Sequence, residues 1–336
     1  MKRFTKFSMA NKPLVWSGIL ALLLIAAALF SLCAGASGVS LWEGLADVVR
    51  GADSAAARIL LHIRLPRVLA AIFAGSALAC AGVLIQGVLG NPLAGPNLIG
   101  VNAGAGLATL LVVCFAPTAV ALLPAAAFFG ALAASFTILL LTRRGASRLT
   151  VVLAGVAISS ILSAISDLIT TLRPEISLNA GTFLIGGFSS VSAPRLRAAA
   201  ALILPGIVAA MLSASRLDIL QLGDDMAQSL GLQAARTRIL LLVLASLLAG
   251  AAVSFAGLLG FVGLIVPHAI RRFTLGEHRL LMPLSALAGG LFVLVCDTIC
   301  RTAFAPFELP VGILLSLIGG PFFLALLLNN RKGGRA

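Results

Sequence analysis

Long apolar runs recur along the chain, separated by short stretches where arginine, lysine, glycine and proline gather. Such runs predict helices that cross roughly 30 Å of hydrocarbon, which takes about 20 residues of helix. They fall near 14 to 34, 65 to 89, 97 to 116, 120 to 142, 149 to 172, 194 to 214, 237 to 256, 257 to 271, 281 to 301 and 310 to 328, about ten in all. The run at 257 to 271 is short, and the one at 120 to 142 carries Pro124. NPLAGPNLIG (91 to 100) joins two runs through an irregular turn that must be buried in protein or lie in water. Between Arg173 and Pro194, SLNAGTFLIGGFSS is too short and glycine-rich to span, and reads as a half-helix dipping back toward the centre.

One stretch breaks the apolar pattern. LQLGDDMAQSLGLQAARTR (220 to 238) is polar and two-faced: at 100° per residue Leu220, Leu222, Met226, Ala227 and Leu230 fall on one side, and Gln221, Asp224, Asp225, Gln228 and Ser229 on the other. Gly231 ends the pattern as a helix stop. A helix resting on lipid carries Lys or Arg on its polar face, whereas this one carries two adjacent aspartates, so a protein partner fits better.

Composition agrees with a polytopic membrane protein: 60% hydrophobic, 10% charged, mean hydropathy +1.12. The start imitates a secretory signal, yet the run from Leu14 to Ala34 exceeds the apolar core of such a signal, so it reads as an uncleaved first helix. The net charge of +13 sits at the ends of apolar runs, which marks topology rather than nucleic-acid binding. With both termini cytoplasmic, 16 of the 24 basic residues fall inside and eight outside. The five cysteines lie in apolar runs without metal-ligand spacing and read as small buried hydrophobes.

Phosphate-binding, zinc and nucleophile-elbow motifs are missing from the sequence. His268, beside Arg271 and Arg272, reads as an interfacial histidine; an intramembrane hydrolase would instead use it in catalysis. An ion-coupled transporter keeps carboxylates within its spans, where they are costly. Only Asp167 and Asp297 qualify, and they are expected to be neutralised by Arg173 and Arg301. Arg64 and Arg67 in IRLPRVLA, with Arg301 before FELPVG, form a cluster on the expected outer face. They read either as snorkelling anchors or as docking groups for an acidic extracytoplasmic protein.

Five blocks then carry a resemblance: RLPRVLAAIFAGSALACAGVLIQGVLGNPLAGPNLIGVNAGAG (64 to 106), VLAGVAISSILSA (152 to 164), LGDDMAQSLGL (222 to 232), AGLLGFVGLIVPHAIRRFTLGEHRLLMPLSALAGG (256 to 290) and ELPVGILLSLIGGPFFLALLL (308 to 328). In order and spacing the chain resembles the permeases of iron-chelate and vitamin B12 ABC importers, the FecCD type. The resemblance implies an all-α, type II importer permease of about ten helices, a single transmembrane domain that forms a homodimer around a central pathway in the bacterial plasma membrane. It also implies a cytoplasmic ATPase pair beneath, a periplasmic or lipid-anchored binding protein above, and no enzymatic activity, cofactor, metal or nucleic acid of the chain's own. Leu222, Gly223, Asp224, Asp225, Met226, Ala227, Ser229, Leu230 and Gly231 would couple to the ATPase; Asp225 to Gly231 echo the importer spacing E-A-A-x-x-x-G, with Asp for the glutamate and Met226 for the first alanine. Arg64, Arg67 and Arg301 would meet the binding protein, and Thr142, Arg143, Arg144, Gly145, Ala146 and Ser147 would form an inner gate. Ferric siderophore is the first expectation for the cargo, with haem and cobalamin behind it.

Overall fold

The computed structural model describes residues 12–34, 41–141, 148–274, 276–304 and 307–333, which form helices and no strand. In chain order these are α1 (Lys12–Cys33), α2 (Leu41–Val49), α3 (Ala55–Ile59), α4 (Leu65–Leu89), α5 (Val101–Phe115), α6 (Leu123–Leu141), α7 (Arg148–Leu172) and α8 (Pro174–Ile185). There follow α9 (Ala193–Leu212), α10 (Ala214–Gln221), α11 (Asp224–Ser229), α12 (Ala234–Ala256), α13 (Val262–Thr274), α14 (His278–Thr302) and α15 (Val311–Gly333). A helix meets each of the ten expected spans. Seven described stretches are long and apolar enough to cross a membrane, and Val101–Phe115 and Val311–Leu326 are shorter apolar helices. The expected gate, 142 to 147, lies outside the described residues.

The boundaries that differ from expectation have local causes. The chain from Ala55 to Leu89 is one helical stretch, because a wide π turn at Leu60–Arg64 joins α3 to α4. Pro66 has no N–H for the carbonyl four residues back and its ring presses on it; the ladder relaxes to a bond from Leu65 N–H to Leu60 O. α5 begins at Val101, later than expected, because Pro96–Ile99 form a tight 3-10 turn closed by Gly100 at φ +74°. Pro96 and Ile99 of that turn are buried, and Ser135 donates to Ile99 O at 2.9 Å. Likewise α12 runs on to Ala256, and 257 to 261 form a loop, so the short span expected at 257 to 271 starts at Val262.

α4 is the centre, packed by α9, α12, α13 and α14, with 83% of its apolar window buried. Lipid tails are as apolar as leucine, so helices in a membrane are held by close packing rather than by escape from water. Gly75 faces the backbone of Gly289, and Gly82 that of Gly263, so closely that a Cβ on either would strike a carbonyl. By contrast, only 6% of the α7 window is buried; α7 touches α5, α6 and α8 and leaves most of its surface open.

The half-helix expected after Arg173 is α8, 12 residues long. Its end is tied down by backbone bonds: Leu258 N–H donates to Phe183 O at 3.1 Å, Gly187 N–H to Ala256 O at 2.8 Å, and Gly312 N–H to Gly186 O at 3.1 Å. α8 therefore closes on the α12–α13 loop and on the first turn of α15.

These contacts predict that Gly82→Ala costs about 1–3 kcal/mol, toward the upper figure because the obstacle is backbone that cannot rotate away. Gly320→Ala, with open space around the new Cβ, should cost nothing. Thermal midpoints in detergent check the pair: Gly82→Ala should melt lower than the parent and Gly320→Ala should not, and equal midpoints would contradict the packing argument.

Candidate functional site

The polar stretch at 220 to 238 lies at the end of the bundle where α10 meets α4 and α14 and α11 meets α12. The single amphipathic helix expected there is two helices, α10 and α11, broken at Gly223, whose φ of +99° suits glycine. The break rotates the second helix against the first, so the expected apolar face splits. Leu220 and Ala227 are buried, at 1% and 0% exposure, whereas Leu222, Met226 and Leu230 stand out at 58–60%. Asp224 folds back onto α12, where Arg238 grips its carboxylate with both terminal nitrogens, Nη1 at 2.8 Å. Asp225 is exposed, and Ser229 donates to Asp225 O at 2.9 Å. Gly231, at φ +80°, ends the motif as expected, and Leu232 N–H returns to Ala227 O at 2.8 Å. The polar face read from the helical wheel, Gln221, Asp224, Asp225, Gln228 and Ser229, is exposed, and Leu222, Met226 and Leu230 form an apolar ridge beside it.

At the opposite end, Arg64, Arg67 and Arg301 come together, but they are buried, at 4%, 8% and 4% exposure. The expectation of exposed guanidinium groups is corrected by their partners. Arg67 forks onto Asp297, with Nε–Oδ2 and Nη2–Oδ1 both 3.0 Å, and its Nη1 reaches Glu308 at 2.7 Å. Asp297 was expected to pair with Arg301; that nitrogen lies 4.0 Å away, and Arg67 holds the closer place. Arg301 instead donates from Nη2 to the carbonyl of Ser31 and, at 2.6 Å, to its hydroxyl, while Arg64 Nη1 donates to Leu32 O at 2.8 Å. The last turn of α1 has no following turn to take up its carbonyls, and two arginines from other helices take up those of Ser31 and Leu32.

A third feature went unread in the sequence. Ser159, Ser163, Ser166 and Thr170 recur every three or four residues, a polar stripe along α7 whose 4-3-4 spacing was the available signal. Ser163, Ser166, Asp167 and Thr170 line a cavity of about 320 Å³ with Asn102, Gly106 and Leu184. Ser166 and Thr170 spend their hydroxyl protons on α7 carbonyls, and Asn102 Nδ2 donates to Leu259 O at 3.2 Å. What faces the cavity is therefore rich in acceptors. Among the described residues no ion pair joins Asp167 to Arg173, contrary to expectation. His268 packs edge-on against Phe322, with centroids 5.9 Å apart, a packing role rather than a catalytic one.

A multi-pass helical bundle with a backbone-packed core, a half-helix closing on two loops and a two-helix motif at one end defines a membrane transport subunit. Residues 23–329 match the FecCD transport family, to which the chain belongs. It is 39% identical over 331 residues to the hemin transport system permease HmuU of Yersinia pestis, covering 96% of this chain and 97% of that one. It is 38% identical to the Fe(3+) dicitrate permease FecD of Escherichia coli, covering 81% and 86%, and 38% identical to the cobalamin permease BtuC of Halobacterium salinarum, covering 82% and 75%. A solved inward-facing ABC transporter of metal-chelate type superposes with a TM-score of 0.84 at 29% identity, covering 94% of this chain and 99% of that one. The chain is an ABC importer permease subunit that works with a substrate-binding protein, and ATP hydrolysis belongs to separate subunits.

The arginine network carries a stability prediction. Asp297→Ala takes from buried Arg67 the carboxylate it forks onto, leaving it Glu308 alone, and should cost about 3–5 kcal/mol, whereas replacing Arg67 and Asp297 together by leucine should cost much less. Folded yield and thermal midpoint of the single and double variants decide it; a single variant as stable as the parent would mean that the pair carries no weight.

Proposed function

We propose that the chain forms, as a homodimer in the bacterial plasma membrane with both termini cytoplasmic, the pathway of an ATP-driven importer for an iron chelate, a ferric siderophore first. The observation that carries the dimer is α7. A membrane helix only 6% buried in its own subunit, with a hydroxyl stripe and an aspartate along it, needs a second protein surface or a water-filled path beside it. A second copy supplies both. The acceptor-rich cavity at Asn102 and Asp167 would then face cargo rather than hydrocarbon. Haem is the second reading, favoured by the match to a hemin permease along nearly the whole chain.

Leu222 to Ala227 and Ser229 to Gly231 form the segment that meets the ATPase in this reading, with Leu222, Met226 and Leu230 as the ridge that enters a groove and Asp225 at its rim. Asp224 serves by holding α11 in place. Arg64, Arg67 and Arg301 organise the surface that receives the binding protein. Glu308, 43% exposed and bound to Arg67, is the ligand that an incoming carboxylate could replace. Coupling to an ion gradient is not favoured, since of the intramembrane acids Asp297 is an arginine-held structural group and Asp167 has no ion pair among the described residues.

Two probes, radio-iron-labelled haemin and a radio-iron-labelled hydroxamate siderophore, test the reading in proteoliposomes holding permease, ATPase and binding protein. Uptake of one of them should require ATP and ignore an uncoupler; uptake that persists without the ATPase and collapses with the uncoupler would reverse the assignment. Replacing Leu222, Met226 and Leu230 together by serine should abolish copurification of the ATPase while the permease stays folded, because only exposed side chains change. Undiminished copurification would remove the ridge from the interface.

A further inference from the structure

The motif between α9 and α12 is held to the bundle at both ends by carboxylates. At the first end, Asp218 of α10 accepts two bonds through one oxygen, from His278 N–H at 3.1 Å and from His278 Nδ1 at 2.6 Å. His278 opens α14 and is wholly buried. A carboxylate only accepts, so Nδ1 carries the proton, and Nε2 turns its lone pair to the Gln221 amide, 3.5 Å away. Beside this pair, Arg279 Nε donates to Ser215 at 2.9 Å, and Leu217, wholly buried, packs with the His278 ring against Gly87 of α4. At the second end, Asp224 is gripped by Arg238 of α12. Between the two anchors stand exposed Leu222 and Gly223, where a Cβ would meet open space.

The anchors sit on α14 and α12, and both of those helices pack on α4. A push on the ridge of Leu222, Met226 and Leu230 would load both anchors, reaching α14 through Asp218–His278 and α12 through Asp224–Arg238, with Gly223 as the joint between the two halves. We infer that Asp218 with His278, and Asp224 with Arg238, are positioning pairs that pass movement of the ATPase-facing ridge to the two helices flanking α4. The inference rests on the function proposed above and adds to it the residues that do the passing.

The test is the number of cargo molecules moved per ATP hydrolysed by the complete transporter in proteoliposomes, with the same two radio-iron probes. Asp218→Ala, His278→Leu and Arg238→Leu should keep ATP hydrolysis and ATPase copurification while the ratio falls roughly tenfold, the scale of a coupling energy lost between two sites. A merely structural defect lowers transport and hydrolysis together and leaves the ratio alone. His278→Asn, whose amide nitrogen can stand where Nδ1 stands, should keep most of the ratio. The exchange Asp224→Arg with Arg238→Asp remakes the ion pair and should recover the ratio lost in Arg238→Leu; it also decides the matter where single variants fail to accumulate. A parental ratio in Asp218→Ala and Arg238→Leu, or an exchanged pair that folds, keeps the ATPase bound and stays uncoupled, overturns this inference alone. An unsubstituted transporter that moves neither probe at the expense of ATP overturns the proposed function, and this inference with it.

Discussion

Contact between backbones at two points on α4 is the constraint on which the rest depends. Inside a bilayer no water drives helices together, so they stay together only where their surfaces approach closely enough for dispersion and dipolar contacts to add up. Gly75 against Gly289 and Gly82 against Gly263 bring α14 and α13 onto α4 at distances that no side chain would permit. With those axes fixed, Arg67 on α4 comes within reach of Asp297 on α14, and Gln86 can donate to Gly263 O at 3.3 Å while accepting from Arg271 at 3.1 Å. The glycine contacts bring these polar groups within reach of one another, and the bonds they make add to the packing.

Three groups of polar side chains are each satisfied differently. The arginine cluster is closed within the chain: acids and helix-end carbonyls meet the guanidinium groups and little is left for solvent. At the α10–α11 end Asp218 and Asp224 are tied back to α14 and α12, while Leu222, Met226 and Leu230 stand out among exposed Gln221, Asp225, Gln228 and Ser229, an apolar ridge on a polar surface of the kind that meets a partner. The α7 stripe is the one left open, with acceptors around a cavity and an aspartate that no basic side chain reaches among the described residues.

Much of the fold was legible because hydropathy alone is enough in a membrane. The ten spans, the half-helix α8 and the stop at Gly231 all follow from run length and glycine position. What failed to show were relations between distant residues and breaks in regularity. The pairing of Arg67 with Asp297 crosses 230 positions, and nothing local distinguishes it from the four-residue spacing of Asp297 and Arg301 that suggested a different pair. The periodicity of 220 to 230 implies one continuous helix, whereas the positive φ at Gly223 splits it, so the apolar side divides into buried Leu220 and Ala227 and exposed Leu222, Met226 and Leu230. The α7 hydroxyls carry no signal by themselves, since serine and threonine are common in membrane helices and only the cavity gives their spacing a meaning.

The capping of α1 sets an order in time. Its last-turn carbonyl at Ser31 is met by Arg301, 270 residues further along, and that of Leu32 by Arg64, only 32 residues away. At synthesis rates of about 5–20 residues per second, the interval between the two partners is on the order of ten to fifty seconds. Through that interval α1 is held by a single guanidinium and little packing, since 6% of its apolar window is buried in the finished bundle. The helix made first is thus secured late: α1 behaves during assembly as a tethered bystander that becomes part of the fold when α14 arrives.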